Sequence, residues 1–77
     1  MSKVTSLSNE EVMKKAKEFF DGKFGLKLRD IEPKCCVEFS SNLGFVTIKA
    51  KDEGHKIEVT VSTREYEYQI QEFLKAI

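Results

Sequence analysis

The side chains best suited to chemistry near neutral pH are cysteine and histidine, and this chain has three of them: Cys35, Cys36 and His55. Adjacent cysteines on an extended strand point to opposite faces, which keeps them from holding one metal or bridging each other. A zinc site wants separated pairs backed by further ligands, and only His55 remains to supply one. The expectation is one small buried residue and one exposed thiol, Cys36. A cysteine–histidine nucleophile would need contact in space and a third group to orient the base. His55 follows Gly54 in a turn, in phase with the buried face, and reads as a histidine on the rim of the core. The carboxylates show no paired spacing for acid–base work, and the chain has no glycine-rich phosphate loop. No catalytic residue, metal or cofactor is expected, no small-molecule ligand is indicated, and the chain reads as a non-enzyme.

Binding surfaces are the alternative to catalysis. Lys49, Lys51 and Lys56 fall close together in the alternating stretch 45–62, on the same phase as Phe45, Thr47 and Glu58. With Cys36, Glu38, Ser40 and Thr60 they make the polar face of a sheet. Such a face serves a protein partner, or nucleic acid if bases stack on Phe45 while lysines hold phosphates. Lysines on that face also discourage edge pairing. Tyr68 lies on the side of the last helix opposite Tyr66 and Ile70, where an exposed aromatic suits an interface. Lys14, Lys15, Lys17 and Lys23 are interleaved with Glu10, Glu11, Glu18 and Asp21, the pattern of a solvated helix face with i,i+4 pairs.

The elements that must position these residues follow from periodicity. Residues 1–6 have no pattern and are expected to be disordered. Ser8 and Glu11 form a capping box, with Leu7 and Val12 as its hydrophobic staple. Val12, Met13, Ala16, Phe19 and Phe20 recur at helical spacing, and Gly22 stops the helix. Residues 23–34 read as an extended connection closed by Pro33, and whether 24–31 adds a strand is left open. Three strands are then expected: residues 35–41 with Val37 and Phe39 inward, 45–51 with Val46, Ile48 and Ala50 inward, and 55–61 with Ile57, Val59 and Val61 inward. Ser41-Asn42-Leu43-Gly44 and Asp52-Glu53-Gly54 are the turns between them. A second capping box, Ser62 with Glu65, opens the last helix, whose stripe is Tyr66, Ile70, Phe73, Leu74 and Ile77.

The expected architecture is α+β: a two-layer sandwich in the order α-β-β-β-α. In it an antiparallel three-stranded meander has both helices on one face. That order resembles the one found in double-stranded-RNA-binding domains and in the small Alu-RNA-binding subunits of the signal recognition particle. The first family opens its second helix with a lysine-rich phosphate clamp, where this chain has Ser62-Thr63-Arg64-Glu65-Tyr66-Glu67. Its first hairpin loop has a Gly-Pro-x-His-like sequence, where this chain has Ser41-Asn42-Leu43-Gly44. Of the basic sheet surface of the Alu subunits, Lys49, Lys51 and Lys56 are the echo. The likeness is one of topology, and it implies no function.

Composition narrows the rest. Seventy-seven residues make a single small domain, with 40% hydrophobic and 34% charged residues, which is a globular composition. Thirteen basic and thirteen acidic residues cancel. No apolar run approaches the ~20 residues of a membrane span, and the first residues lack a signal-peptide core. The expected setting is cytoplasmic with reduced cysteines. Function on this reading is a small non-enzymatic protein-interaction module, docking on a protein or self-associating. The alternative is weak RNA or single-stranded nucleic-acid binding through the open sheet face. The interaction residues are Phe45, Thr47, Lys49, Lys51, Lys56, Glu58 and Tyr68.

Overall fold

Alternation of apolar and polar residues along residues 36–64 builds the centre of an antiparallel sheet. The computed structural model describes all 77 residues. In chain order the elements are β1 (Ser2–Thr5), α1 (Asn9–Phe20), β2 (Lys27–Glu32), β3 (Cys36–Ser40), β4 (Phe45–Asp52), β5 (Ile57–Arg64) and α2 (Glu67–Ala76). The strand order is β1-β5-β4-β3-β2, and every neighbouring pair is antiparallel. β2 to β5 form a four-stranded meander. α1 carries the chain from the β1 edge to the β2 edge.

The three-stranded meander in the order α-β-β-β-α is therefore wrong: the sheet has five strands. Residues 2–5, expected to be disordered, pair with β5, Lys3 opposite Val59 and Thr5 opposite Ile57. A four-residue edge strand is too short to show a period, so its pairing is decided by the partner. β2, left open by the sequence, is a strand whose period is hidden for a different reason. The ladder slips between Leu28 and Asp30, leaving Arg29 as a bulge residue. Leu28 and Ile31 both pack against the core although they are three residues apart, a spacing that strict alternation forbids.

The second helix also starts later than its capping signal predicts. Ser62 lies in the ladder opposite Thr47, and Thr63 donates its hydroxyl to the Phe45 carbonyl at 2.7 Å. β5 thus pairs with all eight residues of β4, and those cross-strand bonds outweigh one cap. Glu65 then turns the chain with φ of 79°, and Tyr66 takes the N-cap position without a side-chain cap bond.

The first helix follows its signal. Ser8 Oγ accepts the Glu11 amide at 3.2 Å, and the Glu11 carboxylate accepts the Ser8 amide at 3.0 Å. Val12, Met13, Ala16 and Phe20 are buried, Phe19 partly so. They meet Ile70, Phe73 and Leu74 of α2 over a floor of Val37, Phe39, Val46, Ile48, Ala50, Ile57, Val59 and Val61. Phe20 is the hub, with its ring 4.9 Å from Phe19, 5.5 Å from Phe73 and 5.7 Å from Phe39. Each such side chain, fully buried, contributes about 1.5–3 kcal/mol. Both helices lie on this face, and the other is bare.

The short β1 also closes the helix layer. Lys3 Nζ donates to the Leu74 carbonyl at 2.6 Å, and Thr5 Oγ1 to the Ile77 carbonyl at 2.9 Å. Carbonyls at a helix C-terminus lack intrahelical partners, and two side chains more than seventy residues away in sequence supply them.

Candidate interaction surface

The bare face can be written out row by row from the strand register. One row runs Ser2–Thr60–Lys49–Cys36–Glu32 from the β1 edge to the β2 edge. On one side of it lies Val4–Glu58–Lys51, and on the other Ser62–Thr47–Glu38–Asp30. The last row is Arg64–Phe45–Ser40–Lys27. Five residues singled out from sequence, Phe45, Thr47, Lys49, Lys51 and Glu58, share this face. Lys56 sits just beyond it, exposed in the β4–β5 hairpin. Tyr68 is 69% exposed on α2, in the other layer, and belongs to a separate surface.

The lysines are not one cluster. Lys51 pairs with Glu53 at 3.6 Å. Lys49 lines a shallow cavity with Asp30, Glu32 and Glu38, beside Cys36, Val37 and Thr47. Three carboxylates and one ammonium make that part of the face acidic. Positive charge gathers instead beside the last row. There a cleft of about 550 Å³ is lined by Gly25, Lys27, Arg29, Ser40, Ser41 and Asn42, without a carboxylate. Lys27 and Arg29 belong to the strand that sequence did not resolve, and Arg29 is aimed by the bulge. Reading the run from Leu26 to Ile31 as a bulged strand was the one signal for them.

The bends around this cleft are tied together. Tyr66, buried, donates its hydroxyl to the Phe24 carbonyl at 3.1 Å. Its oxygen lies 2.6 Å from Ser41 Oγ. With the tyrosine proton committed to Phe24, the serine proton donates to Tyr66. Ser41 Oγ in turn accepts the Leu43 and Gly44 amides, each at 3.1 Å. One hydroxyl pair thus joins the α1–β2 bend to the β3–β4 bend. Phe24 and Glu65, the two non-glycine residues with positive φ, at 57° and 79°, flank this tie. Residues held in that region cost of order 1–3 kcal/mol and persist only where surroundings impose them. Gly44 is buried against Arg64, whose carbonyl oxygen occupies the space a Cβ would need.

Cys35 and Cys36 differ from expectation. Their sulfur atoms are joined in a disulfide between neighbours, so Cys36 is not a free thiol. Strand alternation, which would send the two apart, does not govern Cys35, because β3 begins only at Cys36. Cys35 is exposed and Cys36 half-buried, the reverse of a buried and an exposed partner. His55 is exposed in the β4–β5 hairpin and does not reach the core rim. At the start of α1 the bond from the Ser8 amide holds the Glu11 carboxyl below its usual value of 4.5.

No known protein family matches the sequence, and neither curated proteins nor solved structures include a significant match to the chain. No helix is long and apolar enough to cross a membrane. The class the fold defines is a small α+β domain with a five-stranded antiparallel sheet covered on one face.

Proposed function

We propose that this protein is a non-enzymatic protein-interaction module that self-associates by adding strand to strand at its β1 edge. The observation that supports this reading is the contrast between the sheet's two edges. β2 is protected by the devices that block edge pairing, a bulge and a run of outward charges: Lys27, Arg29, Asp30 and Glu32. β1 has neither. Met1 and Val61 exchange both backbone bonds, at 3.1 and 2.7 Å, so the amides and carbonyls of Ser2 and Val4 point away from β5. Its one charge, Lys3, is turned inward to α2. Val4 is 51% exposed at the open edge.

A second copy meeting β1 antiparallel would pair Ser2 with the partner copy's Val4 and the reverse, a closed two-fold arrangement that extends the sheet to ten strands. The proposal includes a cytoplasmic setting, where thiol reductants would open the Cys35–Cys36 bridge. Alkylation during cell lysis would then count two free thiols.

Equilibrium centrifugation at ~100 μM, where micromolar contacts show, is the test. The wild type should give a concentration-dependent mass approaching the dimer. Val4→Pro removes only an outward amide and should give a monomer with an unchanged far-ultraviolet spectrum. A wild type that stays monomeric at that concentration would end the proposal, as would a dimer indifferent to Val4→Pro and to Val4→Lys.

A further inference from the structure

The cleft beside the last sheet row carries an inference separate from self-association. We propose that it binds single-stranded nucleic acid, with phosphates on Lys27 and Arg29 and a base against Phe45 beside Arg64.

Four observations converge on it. The cleft is concave, about 550 Å³, and lined by two cations and no carboxylate, a size in the range of about 300–1,000 Å³ usual for ligand sites. In a chain of zero net charge, such a concentration of one sign is local and directional. The row that borders it, Arg64–Phe45–Ser40–Lys27, places an aromatic ring between basic ends with a hydroxyl beside it. Phe45 is half-buried on the bare face, the side from which an aromatic residue can stack on a base. Arg29 is the bulge residue, and a bulge re-aims a side chain away from the ladder. Finally, the bends that supply Gly25, Ser41 and Asn42 are cross-linked through Tyr66 at 2.6 and 3.1 Å, so the cleft is formed before a ligand arrives.

The acidic cavity at Asp30, Glu32 and Glu38 adjoins the cleft on the same face. It repels a polyanion and limits the footprint to a few nucleotides. That rules against a long duplex track and against a flat anionic bilayer, which would meet both patches at once. The flexible backbone of a single strand can follow the basic row and leave the sheet before reaching the carboxylates.

The experiment is a fluorescence-anisotropy titration of the full chain with labelled oligothymidylate and oligouridylate at ~50 mM salt, a condition that favours phosphate contacts. The expected result is saturable binding whose logarithm falls against log salt with a slope of about −2, for about three phosphates. Lys27→Gln with Arg29→Gln, both exposed, should weaken it at least tenfold, and Phe45→Ala about tenfold, in line with the loss of one stacked base. Lys49→Gln with Lys51→Gln should leave it within twofold. Because Phe45→Ala also touches the sheet, amide chemical shifts of the wild type supply a second reading. They should move at Gly25, Lys27, Arg29, Asn42 and Phe45. The proposal is overturned by the absence of saturable binding or by equal loss in the Lys49/Lys51 variant. It is equally overturned by phosphatidylserine vesicles binding where the oligonucleotides do not. The Val4→Pro variant should bind oligonucleotide as the wild type does, which separates this outcome from that of self-association.

Discussion

At one end of the sheet the bends after α1, β3 and β5 are cross-linked through Tyr66, and Gly44 packs directly on Arg64. At the other end the β4–β5 hairpin is held mainly by bonds within itself: Glu53 amide to the Lys56 carbonyl at 2.8 Å, Gly54 amide to the Asp52 carboxylate at 2.9 Å, and the exposed Lys51–Glu53 pair. The first end joins segments far apart in sequence, so breaking it should loosen the whole molecule. The second joins neighbours, and losing it should cost little. The basic cleft sits at the tied end, which agrees with the general need for a binding site on a rigid frame.

The largest effect should come from Gly44→Ala. Its Cβ would collide with backbone rather than with a movable side chain, so a loss of about 3 kcal/mol is expected, at the upper end of overpacking. Urea denaturation checks it. A loss below about 1 kcal/mol would mean that the close approach to Arg64 is not obligatory.

Tyr66→Phe keeps the ring and removes the hydroxyl, leaving the Phe24 carbonyl without this partner and the Ser41 proton with only the Gly44 carbonyl, at 3.4 Å, to bond. Leaving such groups unsatisfied costs about 1–3 kcal/mol, and a value of about 2 kcal/mol is expected. The same variant should weaken oligonucleotide binding severalfold, because the cleft then orders only on binding. An unchanged affinity with the expected loss of stability would separate the tie from the cleft.

Ser8→Ala removes the cap of α1, outside both ends, and should cost about 1 kcal/mol. The Glu11 half of that box is visible in pH dependence. Its carboxyl is held below 4.5 in the folded chain by the Ser8 amide. The stabilisation it adds is therefore present above the unfolded value and is lost as pH falls through the folded one. A titration of the Glu11 side-chain carbon shift should show a midpoint below 4.5, moving only part of the way back in Ser8→Ala, which removes the hydroxyl contact but keeps the backbone amide at that position.

His55→Ala and Lys51→Ala at the free hairpin should each change stability by less than about 0.5 kcal/mol, as exposed positions and surface ion pairs do. A loss of more than about 1 kcal/mol at either would erase the contrast between the ends.

What could be read without the structure was what one segment decides for itself. The capping box at Ser8 and Glu11, the α1 stripe and the inward sets on β3, β4 and β5 depend on residues within a few positions of one another. The surface set Phe45, Thr47, Lys49, Lys51 and Glu58 followed from the same alternation. Beyond that reach lay the residues whose state depends on a distant partner. Residues 2–5 become a strand only because β5 offers an unpaired edge. β2 conceals its period behind the Arg29 bulge. Ser62 is a competent cap that becomes a ladder residue because β4 is long enough to pair it. Cys35 meets Cys36 because the strand begins one residue later than the pattern implies. The basic cleft combines β2 with the β3–β4 bend, and its order depends on a tyrosine hydroxyl from the start of α2. Local propensity and periodicity set each helix and the central strands. The edges, the tied end and the charge pattern of the bare face arise from backbone pairing and hydrogen bonds across the chain, which exist only once the sheet has assembled.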